Sequence, residues 1–264
     1  MNYPNYNHEF QRNKVSEPAQ PFGDSNIFTP TIDQRNWLGR IWDFNNGDRF
    51  RYQKDGGSGI TRAHMAATYP PDAELEDELQ GSYGVSVGET KFDMKVTTGS
   101  GLLDHELTDG IMLVNTAGAS GAGDMYIIKD NTWITGDTIL YIEIADNGGI
   151  RTVIDATENI TLVKNKYRDV AVHATDRDAV AIGVPLVDVT ADYYFWAKTR
   201  GAAPLLVDTG DSPAIGGPIG EPTGTASVAG ACGVINADGT DAIWGRVLYA
   251  AAADDYALVD LMLE

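Results

Sequence analysis

The residue types that usually build active sites are present in this chain but scattered. The four histidines, His8, His64, His105 and His173, show no His-x-x-x-His spacing, and a lone Cys232 allows no Cys-x-x-Cys pair. Zinc and dithiol chemistry need such clustering. Cys232 lies in the small apolar run 229–234, which predicts a buried, inert thiol. Asp104-His105-Glu106 is a local cluster, yet neighbours on a loop rarely converge on one ion, so a solvated loop is expected there. No Gly-x-Ser-x-Gly occurs, and Gly210-Asp211-Ser212-Pro213 lacks the strand–turn–helix setting of a nucleophile elbow. The glycine-rich stretch 117–123 has no Walker lysine and leads into Met125-Tyr126-Ile127-Ile128, a strand pattern, so it reads as a loop and not a phosphate cradle. Residues 236–241 resemble a calcium loop only in their first half, and Asp238-Gly239 reads as a turn. One enzymatic arrangement stays open: two of the 38 acidic residues flanking a sugar, with Tyr141, Trp133 or Trp244 stacking on it. No spacing singles out such a pair. The expectation is a protein without catalytic residues, cofactor or metal.

Charge narrows the partners. Of the net −19, residues 1–62 contribute 8 basic against 7 acidic side chains, and residues 63–264 contribute 11 against 31. Affinity for a phosphate backbone rests on cations that displace counterions, so nucleic acid is excluded as a partner of the body. No apolar run approaches the roughly 20 residues of a membrane span. The opening Met1-Asn2-Tyr3-Pro4-Asn5-Tyr6 has neither the basic nor the apolar region of a signal peptide, so synthesis in a cytosol is expected, with no membrane partner. With 264 residues, 43% hydrophobic and 22% charged, the chain can bury one large core or two smaller ones.

The elements that must position any site are strands. Residues 1–36 read as an extended arm, with prolines at 4, 18, 21 and 30 and no apolar period. Its aromatics Tyr3, Tyr6, Phe10, Phe22 and Phe28 are the candidate partner-binding residues. Residues 37–54 alternate on both sides of Asn46-Gly47, the preferred pair for a two-residue type I′ hairpin turn, and Asp55-Gly56-Gly57-Ser58-Gly59 then breaks the strand. One short helix is expected over 73–79, capped by Asp72, with Leu75 and Leu79 on one face and Gly81 ending it. From residue 85 the period is two, in short β-branched runs spaced by Gly, Asp or Asn, among them 110–115, 138–144, 151–154, 159–164, 242–250 and 256–263, the last expected to be a paired, buried strand. That predicts an all-β fold, an antiparallel sandwich or barrel over 37–264, either as one body or divided near 179 into two β subdomains.

The aromatic strand region carries a resemblance. Ile182-Gly183-Val184-Pro185 leads to Thr190-Ala191-Asp192-Tyr193-Tyr194-Phe195-Trp196, followed by Gly201-Ala202-Ala203-Pro204. This resembles a pattern in tailed-bacteriophage virion proteins, in which a Gly-Val-Pro strand precedes Thr-Ala-x-Tyr-Tyr-x-Trp and a Gly-Pro-Ala-like turn. Gly47-Asp48-Arg49-Phe50-Arg51-Tyr52, Gly245-Arg246-Val247 and Tyr256-Ala257-Leu258-Val259-Asp260-Leu261 are similar to other parts of that class. The resemblance touches about half the chain. It implies a capsid decoration or cement protein located on the virion, partnered by the major capsid protein and by its own copies in a closed oligomer such as a trimer. A tail or collar subunit and a carbohydrate-binding surface module are the alternatives.

Overall fold

The structure, a computed structural model, describes residues 26–70, 75–76, 78–79, 84–95, 102–135, 139–155, 158–174, 179–222, 227–235 and 242–264. Among these, the named elements are all strands, paired antiparallel, and Leu75 alone stands in a 3-10 turn. The chain forms β1 (Ile41–Asp43), β2 (Arg49–Lys54) and β3 (Ala66–Ala67), then enters a second unit. That unit holds β4 (Glu78–Leu79), β5 (Lys91–Lys95), β6 (Ile111–Val114), β7 (Met125–Thr135), β8 (Ile139–Ile144) and β9 (Asn159–Val163). The chain then returns as β10 (Ala171–Val172), β11 (Ala181–Pro185), β12 (Tyr194–Leu206), β13 (Pro218–Gly220), β14 (Gly233–Val234), β15 (Ile243–Tyr249) and β16 (Tyr256–Met262). The first unit is Met1–Thr68 with Tyr167–Glu264, and the second is Tyr69–Lys166. The division therefore falls at 68/69 and 166/167, not near 179, because residues on both sides of 179 build one continuous sheet.

In the second unit the strand order is β4-β9-β6-β7-β8-β5. Period-two alternation makes the sheet one-sided: Phe92, Met94, Met112, Val114, Tyr126, Ile128, Leu140, Ile142, Ile160 and Leu162 bury together. The edge strand β5 turns Lys91, Asp93 and Lys95 away from that core, which discourages further strands from adding to it. The expected helix over 73–79 is not found in the described part of that stretch: Glu78–Leu79 pairs antiparallel with Asn159 and Ile160. Residues 73, 74 and 77 lie outside the described residues, as do its cap Asp72 and Gly81. A run this short forms few helical hydrogen bonds of its own, and pairing with β9 satisfies the backbone instead.

The first unit builds its sheet in the order β10-β3-β11-β12-β16-β15-β13-β14, with β2 also on β12 and β1 on β2. The hairpin of 37–54 is present, with Trp42 opposite Phe50. Its turn is longer than the expected two residues. Phe44 N donates to Asp48 O, Gly47 N donates to Phe44 O, and only Gly47 takes positive φ (90°). The expected turn at 201–204 is absent too. Strand β12 runs through it, with a register shift between Lys198 and Arg200 and with Gly201 at φ 89°. A Cβ at Gly201 would lie 2.1 Å from the Asp48 carboxylate, so glycine here serves close approach instead of chain reversal.

Two cores lie in this unit. One gathers Trp42, Phe50, Tyr52, Tyr167, Phe195 and Trp196. The other gathers Val184, Leu205, Val207, Trp244, Val247, Val259 and Leu261. Residues 1–25 of the expected arm lie outside the described residues. Residues 26–36 touch the body: Thr31 exchanges backbone hydrogen bonds with Tyr194, Ile27 packs against the first core, and Arg35 N donates to the Tyr52 hydroxyl.

Beyond β16, Glu264 is gripped by Arg51, whose Nε and Nη2 lie 2.7 and 2.8 Å from its carboxylate, and by Arg49 at 3.4 Å. Burial pushes this carboxyl up, but the hydrogen bonds and charge of Arg51 and Arg49 outweigh it and hold the group below the ordinary carboxylate range. A depressed folded-state pKa means that stability is present above the unfolded value and is lost as pH falls through the folded one. Glu264→Gln is expected to lower stability by about 1 kcal/mol at pH 7, discounted for partial exposure. The difference from the parent should shrink steadily as pH falls through the acid range in urea unfolding, and a gap independent of pH there would refute the ion-pair origin.

Candidate functional site

Four places combine chemical groups with access or burial. Two of them are accounted for by local structure. In the second unit His105 Nδ1 lies 2.6 Å from Asp130 Oδ1, whose hydrogen bond and charge raise the imidazole pKa. Glu106 instead takes Lys164 Nζ at 2.6 Å. Members of the Asp104-His105-Glu106 cluster thus turn to different partners, because His105 (φ 66°) sits in a tight turn whose amides bond back to the sheet. In the first unit Cys232 is fully buried, and desolvation pushes its thiol up to about 12, so it is protonated and unreactive at neutral pH. Burial also raises the nearby Asp211 carboxyl.

The third place is a cavity of about 350 Å³ in the first unit, lined by His173, Glu221, Trp244, Val180, Ile243 and Met262 among others. His173 stands edge-on to Trp244 with ring centroids 5.0 Å apart, and its Nδ1 lies 2.6 Å from Ala174 O. Trp244 occupies a register irregularity of β15 opposite Ile219 and Gly220, which turns its ring inward. At 1% exposure it cannot offer a face to a sugar. Of the other stacking candidates, Tyr141 is half-buried within β8, and the Trp133 side chain lies outside the described residues. Among the described residues no group of three His, Cys, Asp or Glu is placed to hold a metal. The stretch 236–241 lies outside them.

The fourth place is a surface. Strand β16 is the centre of a three-strand outer face, with β12 on one side and β15 on the other. Its inward residues Ala257, Val259 and Leu261 are core, so alternation sends Tyr256, Leu258 and Met262 outward, with Asp260 half-buried among them. Pro204 lies opposite Leu258 and Leu206 opposite Tyr256 on the β12 side. On the β15 side Arg246 lies opposite Asp260, and Tyr249 lies opposite Leu258 across a register shift that leaves Leu248 unpaired and exposed. Ile243, Leu248, Tyr249, Tyr256, Leu258 and Met262 are all exposed, although this unit has buried cores to receive apolar groups. Exposed apolar side chains gathered on two adjacent strands mark a contact surface, whereas isolated ones need no explanation.

This surface was not singled out by sequence pattern, which marks 256–263 as paired but does not say that its second face is bare. Of the five aromatics proposed for partner binding, Phe28 is exposed at 55%. Tyr3, Tyr6, Phe10 and Phe22 lie outside the described residues.

Comparison with known proteins finds no matching family, no matching curated protein and no matching solved structure.

Proposed function

We propose that the chain is a structural building block of a bacteriophage virion, a decoration or cement protein bound to the outside of the capsid and without catalytic activity. The observation that carries this reading is where the resembling segments lie. Gly47–Tyr52, Ile182–Gly201, Gly245–Val247 and Tyr256–Leu261 are far apart in sequence, yet they supply β2, β11, β12, β15 and β16. These strands are neighbours in one sheet. The segments that carry the resemblance therefore form one contiguous scaffold, and that scaffold presents the apolar outer face.

In this reading residues 1–30, anchored where Ile27 packs on the body, extend along the capsid shell, where extended backbone can add to an exposed sheet edge. The body contacts its own copies in a closed oligomer. Arm and body engaging together raise the effective affinity without either contact being strong. The work done is mechanical: buried interface added outside the shell resists pressure from packaged DNA.

Deletion of residues 1–30 tests it. Occupancy on particles of the parent phage, measured by quantitative mass spectrometry, is expected to fall at least about tenfold through loss of avidity. Full occupancy by the truncated chain would refute the role of the arm, and absence of the intact chain from purified particles would refute the virion assignment.

A further inference from the structure

We propose that the outer face of β12, β16 and β15 docks on a second copy of this chain, related to it by a two-fold axis passing near Leu258. The argument is one of charge order along the strand. At one end of β16, the turn before Tyr256 carries the exposed Asp254 and Asp255. At the other end stand two arginines: Arg246 is opposite Asp260, and Arg200 is opposite Met262. Both are exposed, and among the described residues neither has a carboxylate within ion-pair distance; the recorded bond of Arg246 is to Gly216 O at 3.2 Å. Two cations left without acid partners are notable in a chain of net charge −19.

The stripe thus runs from an acidic end, through Tyr256, Tyr249 and Leu258, to a basic end. A rotation of 180° about an axis lying in the contact plane, crossing β16 at right angles over Leu258, carries the level of Asp260 onto that of Tyr256, and the level of Met262 onto that of Asp254. Each copy's Arg246, on the β15 side, then approaches the acid turn that joins β15 to β16 in the other copy, so the pair is made twice. Such a patch is complementary to itself, the requirement of an isologous contact. Elsewhere the acidic body repels its own kind, whereas here the apolar middle and opposed ends favour approach.

Size sets the strength. Three strands about 4.8 Å apart, with about seven residues rising about 3.4 Å each, give a face of roughly 340 Å² per copy. That is well below the roughly 800 Å² per partner of a standard interface, so a dissociation constant on the order of 100 µM is expected. On a particle surface, copies already held side by side would make this weak contact effective. The assignment rests on the building-block reading only in that a subunit needs a face for its own kind. It is tested on the purified chain, so its failure and the failure of capsid attachment are distinguishable.

Sedimentation equilibrium of the full chain from about 5 to about 500 µM should show monomer passing to dimer. Arg246→Glu and Asp255→Lys should each weaken that association about fivefold while leaving the thermal midpoint unchanged, and an equimolar mixture of the two variants should restore it. Hydrogen exchange of the parent chain, which needs no variant, should show slowing in 246–249 and 256–260 as concentration rises. Association that both reversals leave intact, a mixture that does not recover, or exchange at these segments that ignores concentration would each overturn the proposal.

Discussion

Trp196→Ala is expected to cost the first unit about 3–5 kcal/mol, the range for removing a large aromatic from a packed core. Trp196 is fully buried in β12, with its ring 5.3 Å from Trp42 and 5.1 Å from Tyr52 in tilted and edge-on contacts. Tyr52 in turn stacks on Tyr194, and Trp42 on Phe44. Removing the central ring therefore opens a void bordered by rigid groups that cannot close over it. The indole N–H has no hydrogen-bond partner among the described residues, so the loss is almost wholly packing. Trp196→Phe should recover more than half of it. Chemical denaturation, together with amide exchange in β2 and β12, measures both, and a cost below about 1 kcal/mol would show that this cluster is not the mechanical centre of the unit.

Asp55→Ala should cost about 3 kcal/mol for a different reason. The Asp55 side chain is completely buried, and its Oδ2 accepts from Gly57 N at 2.8 Å, Gly59 N at 3.1 Å and Asp192 N at 3.1 Å. Those amides belong to residues at φ 99°, 72° and 66°, which cannot join a regular ladder. Alanine would take the shared acceptor from three amides at once, on the partly exposed residues Gly57, Gly59 and Asp192, and would leave the buried space of the carboxylate unfilled. Asp55→Asn keeps one acceptor and should show roughly half the loss, with faster exchange at Gly57, Gly59 and Asp192 as the local signature. Equal stability of Asp55→Ala and the parent would mean that water replaces the carboxylate.

These two residues also show where sequence reading succeeded and where it stopped. Alternation of apolar and polar side chains placed β2, β6, β8, β9, β15 and β16 to within a residue or two, because period two is a local property of a half-buried strand. Residues 151–154, also marked as a strand, make only the bridge of Ile154 to Val85. Asp55-Gly56-Gly57-Ser58-Gly59 read merely as a strand breaker. Its organising role depends on Asp192, 137 positions away, and no local pattern reports such a partner. The turn that the resemblance implies at Gly201–Pro204 is absent for a similar reason. Glycine and proline signal reversal when neighbours are unknown, but a close Asp48 and pairing with β16 hold the chain straight. The bare face of β16 was hidden because alternation says which residues point together, not whether another layer covers them.

The inserted unit leaves Thr68 and returns at Tyr167, and the strands on either side of that excursion, β3 and β10, are bonded to each other: Ala67 faces Ala171 and Ala66 faces Val172. The host sheet thus sutures its own opening before any guest is considered. Ring-closure entropy grows only slowly with the length of the intervening chain, each doubling adding about 0.6 kcal/mol. A lineage could lengthen, trim or exchange the 98-odd residues between those points and leave the host's hydrogen bonding intact, so the locus behaves as a socket into which cargo of other kinds can be spliced.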